Sequence, residues 1–305
     1  MDVSLALGGG GVRGLAHVGV IQALENHGFN IKAIAGTSAG GLVGAVYAAG
    51  FDTQRIKESF LELEKKWDFP RNSDDRPSLL GLSSVTKILS DLLGDRTFDD
   101  LIIPYAATAV SLKSGQEIIL RKGKVLDAVL ATIAIPGVFP SQEIGGKVLV
   151  DGGVLDPVPI RVARWLRPDL PLVAVVLHHE PQDYEEDTSL TLPIPGPTSI
   201  IEKLMKLRPV QAFRIFTRSI DISGRQLTEL AIKLYQPEVV LEPKVGHIGV
   251  LQKIKPDEII QIGVDAAEDR LSEIKSHANW MKKIQRKVKH QVFSDPTPDY
   301  WENIS

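Results

Sequence analysis

Apolar residues along the chain follow two alternating spacings, which predict short strands and longer helices in turn. Short apolar or β-branched runs bounded by glycine, proline or polar residues predict strands, and apolar residues recurring every three or four positions predict helices. The predicted strands are Val3–Leu7, Ile31–Ala35, Pro104–Leu112, Lys147–Val150, Leu172–Leu177 and Glu238–Leu241. The predicted helices are Gly14–His27, Ser38–Ala49, Thr53–Lys66, Val125–Ile135, Ser199–Leu234 and Pro256–Ser276. This alternation predicts the α/β class, as a three-layer α/β/α sandwich with a mostly parallel central sheet.

The sequence contains no internal repeat and no low-complexity tract, so one domain is predicted over residues 1–275 and a basic helical tail over residues 276–305. Between Ser272 and Val292 a single acid, Glu273, accompanies a series of basic residues. These are Lys275, Lys282, Lys283, Arg286, Lys287 and Lys289, and the apolar Trp280, Ile284, Val288 and Val292 recur among them at helical spacing. Such a helix is typical of peripheral contact with an anionic membrane, and equally of a terminal helix packed on its own domain.

Composition and charge narrow the chemistry of the chain. The 305 residues contain no cysteine, which excludes disulfides, thiolate metal sites and a cysteine nucleophile. Ligands with metal spacing do not cluster, so no metal or cofactor is expected. The formal charge of −3 predicts no binding of nucleic acid. The sequence lacks a secretory pattern and the ~18 consecutive apolar residues of a membrane span, so we expect a cytoplasmic protein with peripheral membrane contact at most.

The first motif is a glycine stretch, Gly8–Gly14, which follows the first predicted strand and opens the first helix. Its backbone N–H groups, with the positive end of the helix behind them, favour a bound anion. Gly9, Gly11 and Gly14 also fit the G-x-G-x-x-G pattern of dinucleotide sites, which requires an acid at the end of the second strand. That strand ends instead in glycine, threonine and serine at 36–38, which argues against a dinucleotide site.

The second motif is G-x-S-x-G at residues 36–40, between a β-branched strand and a helix of small residues. This strand–turn–helix context is typical of a nucleophile elbow, in which Gly36 and Gly40 relieve crowding around Ser38. The N-terminus of the following helix favours an alkoxide developing at Ser38. A serine at the start of a helix is also a common N-cap, so the pentapeptide alone does not establish a nucleophile.

The third motif, Asp151-Gly152-Gly153, directly follows the strand predicted at Lys147–Val150. An acid at the carboxyl end of a parallel strand lies on the edge where α/β sheets build their sites. Asp-Gly pairs are also common turn formers. Asp151 is therefore a candidate base for Ser38, provided that the fold brings the two residues together.

These motifs, in this order, resemble those of the patatin-like phospholipases. Further matches to the bacterial branch of that family are LAHVGV at 15–20, AIPGVFP at 134–140 and VLDPVP at 154–159. The resemblance covers residues 3–180 well and extends more loosely to about 270. Two departures are Gly8, where plant patatins carry an acid, and Thr132, where relatives often have serine. Neither departure is expected to touch the serine–aspartate pair.

The resemblance implies a patatin-like fold and hydrolysis of fatty acyl esters, either of (lyso)phospholipids or of related lipids, through an acyl-enzyme. It implies a catalytic dyad of Ser38 and Asp151 without histidine, and an oxyanion hole made by the backbone amides of Gly9, Gly10 and Gly11. The motif residues expected to support this site are Arg13, Gly14, Gly36, Gly40, Gly152 and Gly153. The implied partner is a lipid or acyl-ester substrate.

Two alternative functions stay open at this point. The chain order Ser38, Asp151, His247 matches that of the α/β-hydrolases, so an esterase with a triad that uses His247 is one alternative. The elbow follows only the second strand, which is earlier than in that fold. The other alternative is a lipid-binding or regulatory module that kept the fold without turnover.

Three further expectations concern residues around the motifs. Arg13 is expected to steady the glycine loop, to meet a lipid phosphate or to brace the backbone. His17 lies among apolar residues of the first helix and is expected to be a buried core histidine. The walls of the substrate pocket are expected to come from the helices that follow Thr53 and Ser199.

Overall fold

The computed structural model describes residues 1–65, 76–177, 208–249, 252 and 255–278, and this part of the chain confirms the α/β class. Its strands are β1 (Asp2–Leu7), β2 (Asn30–Gly36), β3 (Tyr105–Ser111), β4 (Glu117–Leu120), β5 (Gln142–Ile144), β6 (Lys147–Asp151), β7 (Leu172–Val175) and β8 (Val239–Leu241). Its α-helices are α1 (Leu15–Asn26), α2 (Ala39–Ala48), α3 (Thr53–Lys65), α4 (Ser83–Leu93), α5 (Val125–Thr132), α6 (Ile160–Leu166), α7 (Arg208–Tyr235), α8 (Pro256–Asp269) and α9 (Leu271–His277). None of the described helices is long and apolar enough to cross a membrane.

One sheet contains all eight strands of the described chain, in the order β5-β6-β3-β2-β1-β7-β8, with β4 paired to β3. The strands β3, β2, β1, β7 and β8 are parallel, as the strand–helix alternation predicts. β4 and β6 run antiparallel to β3, and β5 forms a hairpin with β6. The hairpin turns through Gly145 and Gly146, both at positive φ, which is the arrangement that suits the twist of two paired strands.

β3 is the strand on which the two halves of the predicted site meet. One edge of β3 pairs with β4. The other edge pairs first with β2, over residues 105–107, and then with β6, over residues 109–111. β2 and β6 therefore lie end to end beside β3, with Thr108 between the two pairings. Because β2 ends at Gly36 and β6 ends at Asp151, both strand ends face the same short stretch of β3.

The expectation that Asp151 ends a parallel strand is wrong. β6 runs antiparallel to β3, and Asp151 pairs with Ala109. Asp151 nevertheless lies at the carboxyl edge of the parallel strands, because β6 begins beyond that edge and ends on reaching it. The direction of β6 is therefore what brings the end of this strand to the end of β2.

Helices cover both faces of the sheet, which confirms the three-layer sandwich. On one face, larger aliphatic side chains such as Leu5 and Leu7 pack against α1–α5, α8 and α9. On the other face the strands carry small residues, including Ala6, Ala35 and Ala174, and α6 and α7 cover them. The long helix α7 therefore packs on the face where the strands carry small side chains.

Several bounds differ from those predicted. The helix predicted at Pro256–Ser276 is two helices, α8 and α9, which meet at Arg270. The strands β4 and β5 and the helices α4 and α6 were not predicted. The helix predicted from Ser199 is described from Arg208 onward, and the basic tail from residue 279 lies outside the described residues.

α1 and α8 cross at two glycines. A Cβ atom on Gly19 would lie 1.9 Å from the carbonyl oxygen of Ile260, and one on Gly263 would lie 2.0 Å from that of Ala16. The two backbones are therefore in direct contact, with no room for a side chain between them. Because α1 begins directly after the glycine stretch, this crossing holds the helix that supports that stretch.

Replacing either crossing glycine by alanine should force the two helices apart. We expect Gly19→Ala and Gly263→Ala each to lower the free energy of unfolding by about 2–3 kcal/mol, measured by urea denaturation. Gly224→Ala in α7 is the matched control, because a Cβ there meets nothing closer than Pro157 Cγ at 3.5 Å. Alanine also has the higher helix propensity, so this control should be as stable as wild type or more so. Equal stability of Gly19→Ala and Gly224→Ala would contradict the close crossing.

Candidate active site

Ser38 lies on a strained turn between β2 and α2. Its backbone has φ 53° and ψ −123°, a conformation that residues with a side chain rarely adopt. A Cβ on Gly36 would lie 2.4 Å from the Gly40 carbonyl oxygen, and one on Gly40 would lie 2.2 Å from that of Leu7. Only glycine at these two positions lets the turn pack so closely against β1. The geometry is that of the elbow which the G-x-S-x-G pattern predicts.

Thr132 anchors the backbone of this elbow. Its hydroxyl, at the end of α5, accepts a hydrogen bond of 2.9 Å from the backbone N–H of Ser38. Both residues are buried, so no solvent replaces this partner. The expectation that the departure at Thr132 leaves the serine–aspartate pair untouched is therefore wrong, because this side chain holds the serine in place.

Asp151 is buried beside Ser38, with 5% of its surface exposed. Its Oδ1 accepts a 2.7 Å hydrogen bond from the backbone N–H of Gly153, and its carboxylate is hydrogen-bonded to the Ser38 side chain. Burial raises the pKa of Asp151 to about 6, and the two hydrogen bonds oppose part of this shift. The carboxylate is thus ionised at neutral pH and is a stronger base than an aspartate in water.

Thr37 ties together the segments beneath this pair. Its hydroxyl oxygen lies 2.7 Å from that of Thr108 in β3 and donates to the backbone carbonyl of Asp156 at 2.8 Å. The chain after Asp151 turns at Gly152, where a Cβ would lie 2.1 Å from Thr108 Oγ1. Two buried threonines therefore join the serine elbow, β3 and the loop that follows the aspartate.

A pair of half-buried acids, Asp156 and Glu117, holds the same loop from its far side. The Asp156 carboxyl is hydrogen-bonded to Glu117 in β4, and Arg161 Nη2 lies 2.6 Å from Glu117 Oε2. Burial, followed by the charge and hydrogen bond of Glu117, raises the pKa of Asp156 well above the usual carboxyl value. The Asp156 carboxyl therefore holds a proton more readily than an aspartate in water, and its hydrogen bond to Glu117 fastens the loop to β4.

The glycine loop is held by the strands and loops around it. The N–H of Gly8 donates to Val175 and that of Gly9 donates to Pro157, each at 3.0 Å to the carbonyl oxygen. The Gly9 amide is thus engaged, so the expectation that all three glycine amides face an oxyanion does not fit Gly9. The amides of Gly10 and Gly11 make no backbone hydrogen bond within the described residues, and both glycines line the cleft at Ser38.

His17 and Arg13 brace the glycine loop from within the protein. His17 Nε2–H donates to the Gly8 carbonyl at 2.7 Å, and burial lowers the pKa of His17 to about 4, so the ring is neutral. Arg13 is 1% exposed, and its Nη1 donates to the Leu177 carbonyl at 2.9 Å. A Cβ on Gly14 would lie 2.6 Å from an alanine side chain of α2. His17 is therefore the buried histidine predicted, and the Arg13 side chain ties the glycine loop to the backbone of Leu177.

Ser38 and Asp151 open onto a cleft of about 160 Å³. Its apolar walls are formed by Ile135, Pro136, Val154, Pro157, Val158, Val176 and Leu177. α7 closes one side with Ile220, Asp221, Gly224, Arg225 and Thr228. This confirms that the helix after Ser199 forms a wall. The expectation for the helix after Thr53 is wrong, because α3 packs against α1 and α4 away from the cleft.

His247 lies outside this cleft. It is exposed on the turn after β8 and is not among the residues that line the cleft. Ser38 and Asp151 are instead hydrogen-bonded to each other directly, with no imidazole ring between them. This geometry favours the two-residue arrangement over a triad that uses His247.

The structure brings together residues that the motifs alone did not single out. These are Thr37, Thr108, Glu117, Arg161 and the α7 residues of the cleft wall. A signal was present for Thr37, which lies inside the G-x-S-x-G motif, and for Asp156, which lies inside the matched stretch at 154–159. Glu117 and α7 become part of the site only through the fold.

Comparisons with known proteins agree with this architecture. The family model "Patatin-like phospholipase" matches residues 5–164. An uncharacterized NTE family protein of Mycobacterium tuberculosis is 41% identical over 182 residues, covering 58% of this chain and 49% of that protein. The lysophospholipase nte1 of Emericella nidulans is 27% identical over 289 residues, covering 91% of this chain and 18% of that protein. This chain thus spans half or less of the length of these curated relatives.

A solved structure shares the fold at low sequence identity. VipD from Legionella pneumophila aligns with a TM-score of 0.52 and 13% identity, covering 90% of this chain and 67% of that one. The family model covers more than half of the 305 residues and includes the glycine stretch, the serine elbow and the aspartate turn. The chain therefore belongs to the patatin-like phospholipase family.

Proposed function

We propose that the chain is a serine hydrolase that cleaves fatty acyl esters of (lyso)phospholipids or related lipids. Ser38 is the nucleophile and Asp151 is its only side-chain base. The observation that carries this proposal is the direct hydrogen bond between Ser38 and the buried carboxylate of Asp151, beside two glycine amides that make no backbone hydrogen bond in the described part of the chain. Membership of the family and the apolar walls of the cleft support lipid as the source of the ester.

The first half of the reaction forms an acyl-enzyme. Asp151 takes the hydroxyl proton while Ser38 Oγ attacks the ester carbonyl carbon and the π electron pair moves onto the carbonyl oxygen. The oxyanion then accepts hydrogen bonds from the Gly10 and Gly11 amides, each preorganised donor being worth roughly 3–4 kcal/mol. The C–O bond to the leaving group breaks, Asp151 gives it the proton, and the acyl group stays esterified to Ser38.

The second half of the reaction repeats these steps with water as the nucleophile. Asp151 removes a proton from water as its oxygen attacks the acyl carbon, and the same two amides stabilise the second oxyanion. Collapse releases the fatty acid and returns the proton to Ser38. The pKa of about 6 suits Asp151 to accept a proton and to give it back. The carboxylate is ionised at neutral pH, and it holds a proton more readily than an aspartate in water.

The class of lipid is supported by the relatives and by the shape of the cleft. One relative is named a lysophospholipase, and its similarity extends over 91% of this chain. A cleft of about 160 Å³ with aliphatic walls fits a single acyl chain close to its ester group. We therefore propose that the preferred substrate is a lipid that carries a single acyl chain, as a lysophospholipid does.

Replacing either member of the dyad should abolish turnover. We expect Ser38→Ala and Asp151→Asn to lower kcat on a medium-chain p-nitrophenyl ester by at least about 10³-fold, because they remove the nucleophile and the base. His247→Ala should keep its activity within about twofold of wild type, since this residue lies outside the cleft. All four proteins are to be checked for folding by circular dichroism and thermal unfolding.

Two outcomes of this experiment would favour other functions. An inactive but folded His247→Ala variant would favour the triad. Folded wild type that hydrolyses neither soluble nor lipid esters, and does not react with a fluorophosphonate probe, would favour a non-catalytic lipid-binding module.

The activity should fall below about pH 6. Only the ionised form of Asp151 accepts a proton, and its raised pKa of about 6 sets where this form is lost. We expect kcat/KM for a soluble ester to decrease tenfold per pH unit below this value, with the protein still folded by tryptophan fluorescence. An inflection near 3.8, the ordinary aspartate value, would contradict the desolvated base.

The hydroxyl group of Thr132, which anchors the elbow, should be needed for activity. Thr132→Val keeps the shape but leaves the buried N–H of Ser38 without an acceptor, so the serine is no longer held at its place. We expect kcat/KM to fall about tenfold or more, because small misplacements of a reacting group are costly. Thr132→Ser retains the hydroxyl and should stay within about threefold of wild type. Equal activity of the two variants would contradict this role.

A further inference from the structure

The outer face of α7 carries an exposed aliphatic stripe, formed by Ile215, Ile222, Leu230 and Leu234. These side chains are 68%, 47%, 60% and 71% exposed, respectively. Their spacings of seven, eight and four positions place them on one side of the helix. The stripe runs from residue 215 to residue 234, which is 20 residues and about 30 Å of helix.

The inner face of the same helix is occupied by the protein. Ile220, Gly224 and Thr228 line the cleft at Ser38, and Gly224 lies against Pro157. α7 therefore meets the domain on its inner side, where Asp221 and Arg225 also line the cleft, and presents the aliphatic stripe to solvent on its outer side. An aliphatic stripe of this length on the exposed side of a helix is expected to have a partner.

The charge of α7 differs from that of the rest of the chain. The helix contains five basic residues and two acidic ones, whereas the whole chain has 35 basic and 38 acidic residues. Lys233 lies on the same side of the helix as the stripe, together with the uncharged Ser219, Ser223 and Gln226. An aliphatic stripe within a basic helix is the pattern that binds the surface of a membrane with anionic lipids.

We infer that the outer face of α7 docks on an anionic phospholipid surface. Docking there would place the bilayer against the helix that forms one wall of the Ser38 cleft, so a lipid could reach the cleft along α7. The stripe is a single ridge with four large side chains, which is far fewer than the ~20–30 residues on each side of a standard protein interface. This inference rests on the proposed function only in taking lipid as the substrate.

The test measures binding of the full chain to sucrose-loaded vesicles by co-sedimentation. All proteins carry Ser38→Ala, so the vesicles are not hydrolysed. Ile222→Ser combined with Leu230→Ser should lower partitioning onto phosphatidylcholine–phosphatidylglycerol vesicles at least tenfold, because two aliphatic side chains are removed from the contact. Ile102→Ser is the matched control, since Ile102 is 69% exposed before β3 and should leave binding within twofold. Phosphatidylcholine alone, or 0.5 M salt, should weaken the binding of the parent protein.

Three results would overturn the docking surface. The first is equal binding of the double variant and the control. The second is absence of binding to either vesicle. The third is a shift from dimer to monomer in the double variant, by light scattering, without vesicle binding, which would make the stripe a contact between two copies of the chain.

A second measurement separates this inference from the proposed function. With Ser38 restored, the double variant should hydrolyse a soluble ester within twofold of wild type, which also shows that it is folded. Its hydrolysis of lipid in anionic vesicles should fall at least tenfold. If wild type hydrolyses no ester while binding still depends on the stripe, the proposed function fails and the docking surface stands.

Discussion

The site depends on two strands ending opposite each other on the same edge of β3. β2 and β6 approach from opposite directions and divide that edge between them, with Thr108 in the gap. If β2 continued past Gly36, it would take the pairing positions of β6, and Ser38 would lie within a ladder rather than on a turn. The separation of serine and aspartate is thus set by main-chain pairing in the centre of the sheet, which is far stiffer than contacts between long side chains.

In the proposed reaction, direct contact between Ser38 and Asp151 makes the carboxylate the group that transfers the proton. Asp151 must be shielded from water enough to act as a base, yet it must be ionised. Burial raises its pKa, while the Gly153 amide and the Ser38 hydroxyl keep the value near 6. Asp156 shows the contrast: burial raises its pKa as well, but it faces the acid Glu117, which raises the pKa further instead of opposing the shift. These two aspartates therefore differ in their affinity for a proton because their neighbours differ.

Much of this site could be predicted where local sequence and chemistry agree. The run Val3–Leu7 predicts β1 and the glycine loop after it, and residues 36–40 predict a strained serine because strand, turn and helix signals coincide there. The direction of β6 could not be predicted, since a five-residue strand carries no mark of its orientation. The strands β4 and β5 were not predicted because runs of four and three residues are too short to show a strand pattern. The anchoring of Ser38 by Thr132, and the engagement of Gly9 by Pro157, join residues far apart in the chain and depend on the assembled sheet.

The glycine crossing of α1 and α8 also decides when during synthesis the fold can close. α1 leaves the ribosome before α8, and the backbone that it packs against exists only once residues 256–269 have been made. Until then the apolar side of α1, directly behind the glycine loop, is open to water, and the nascent chain is exposed to aggregation.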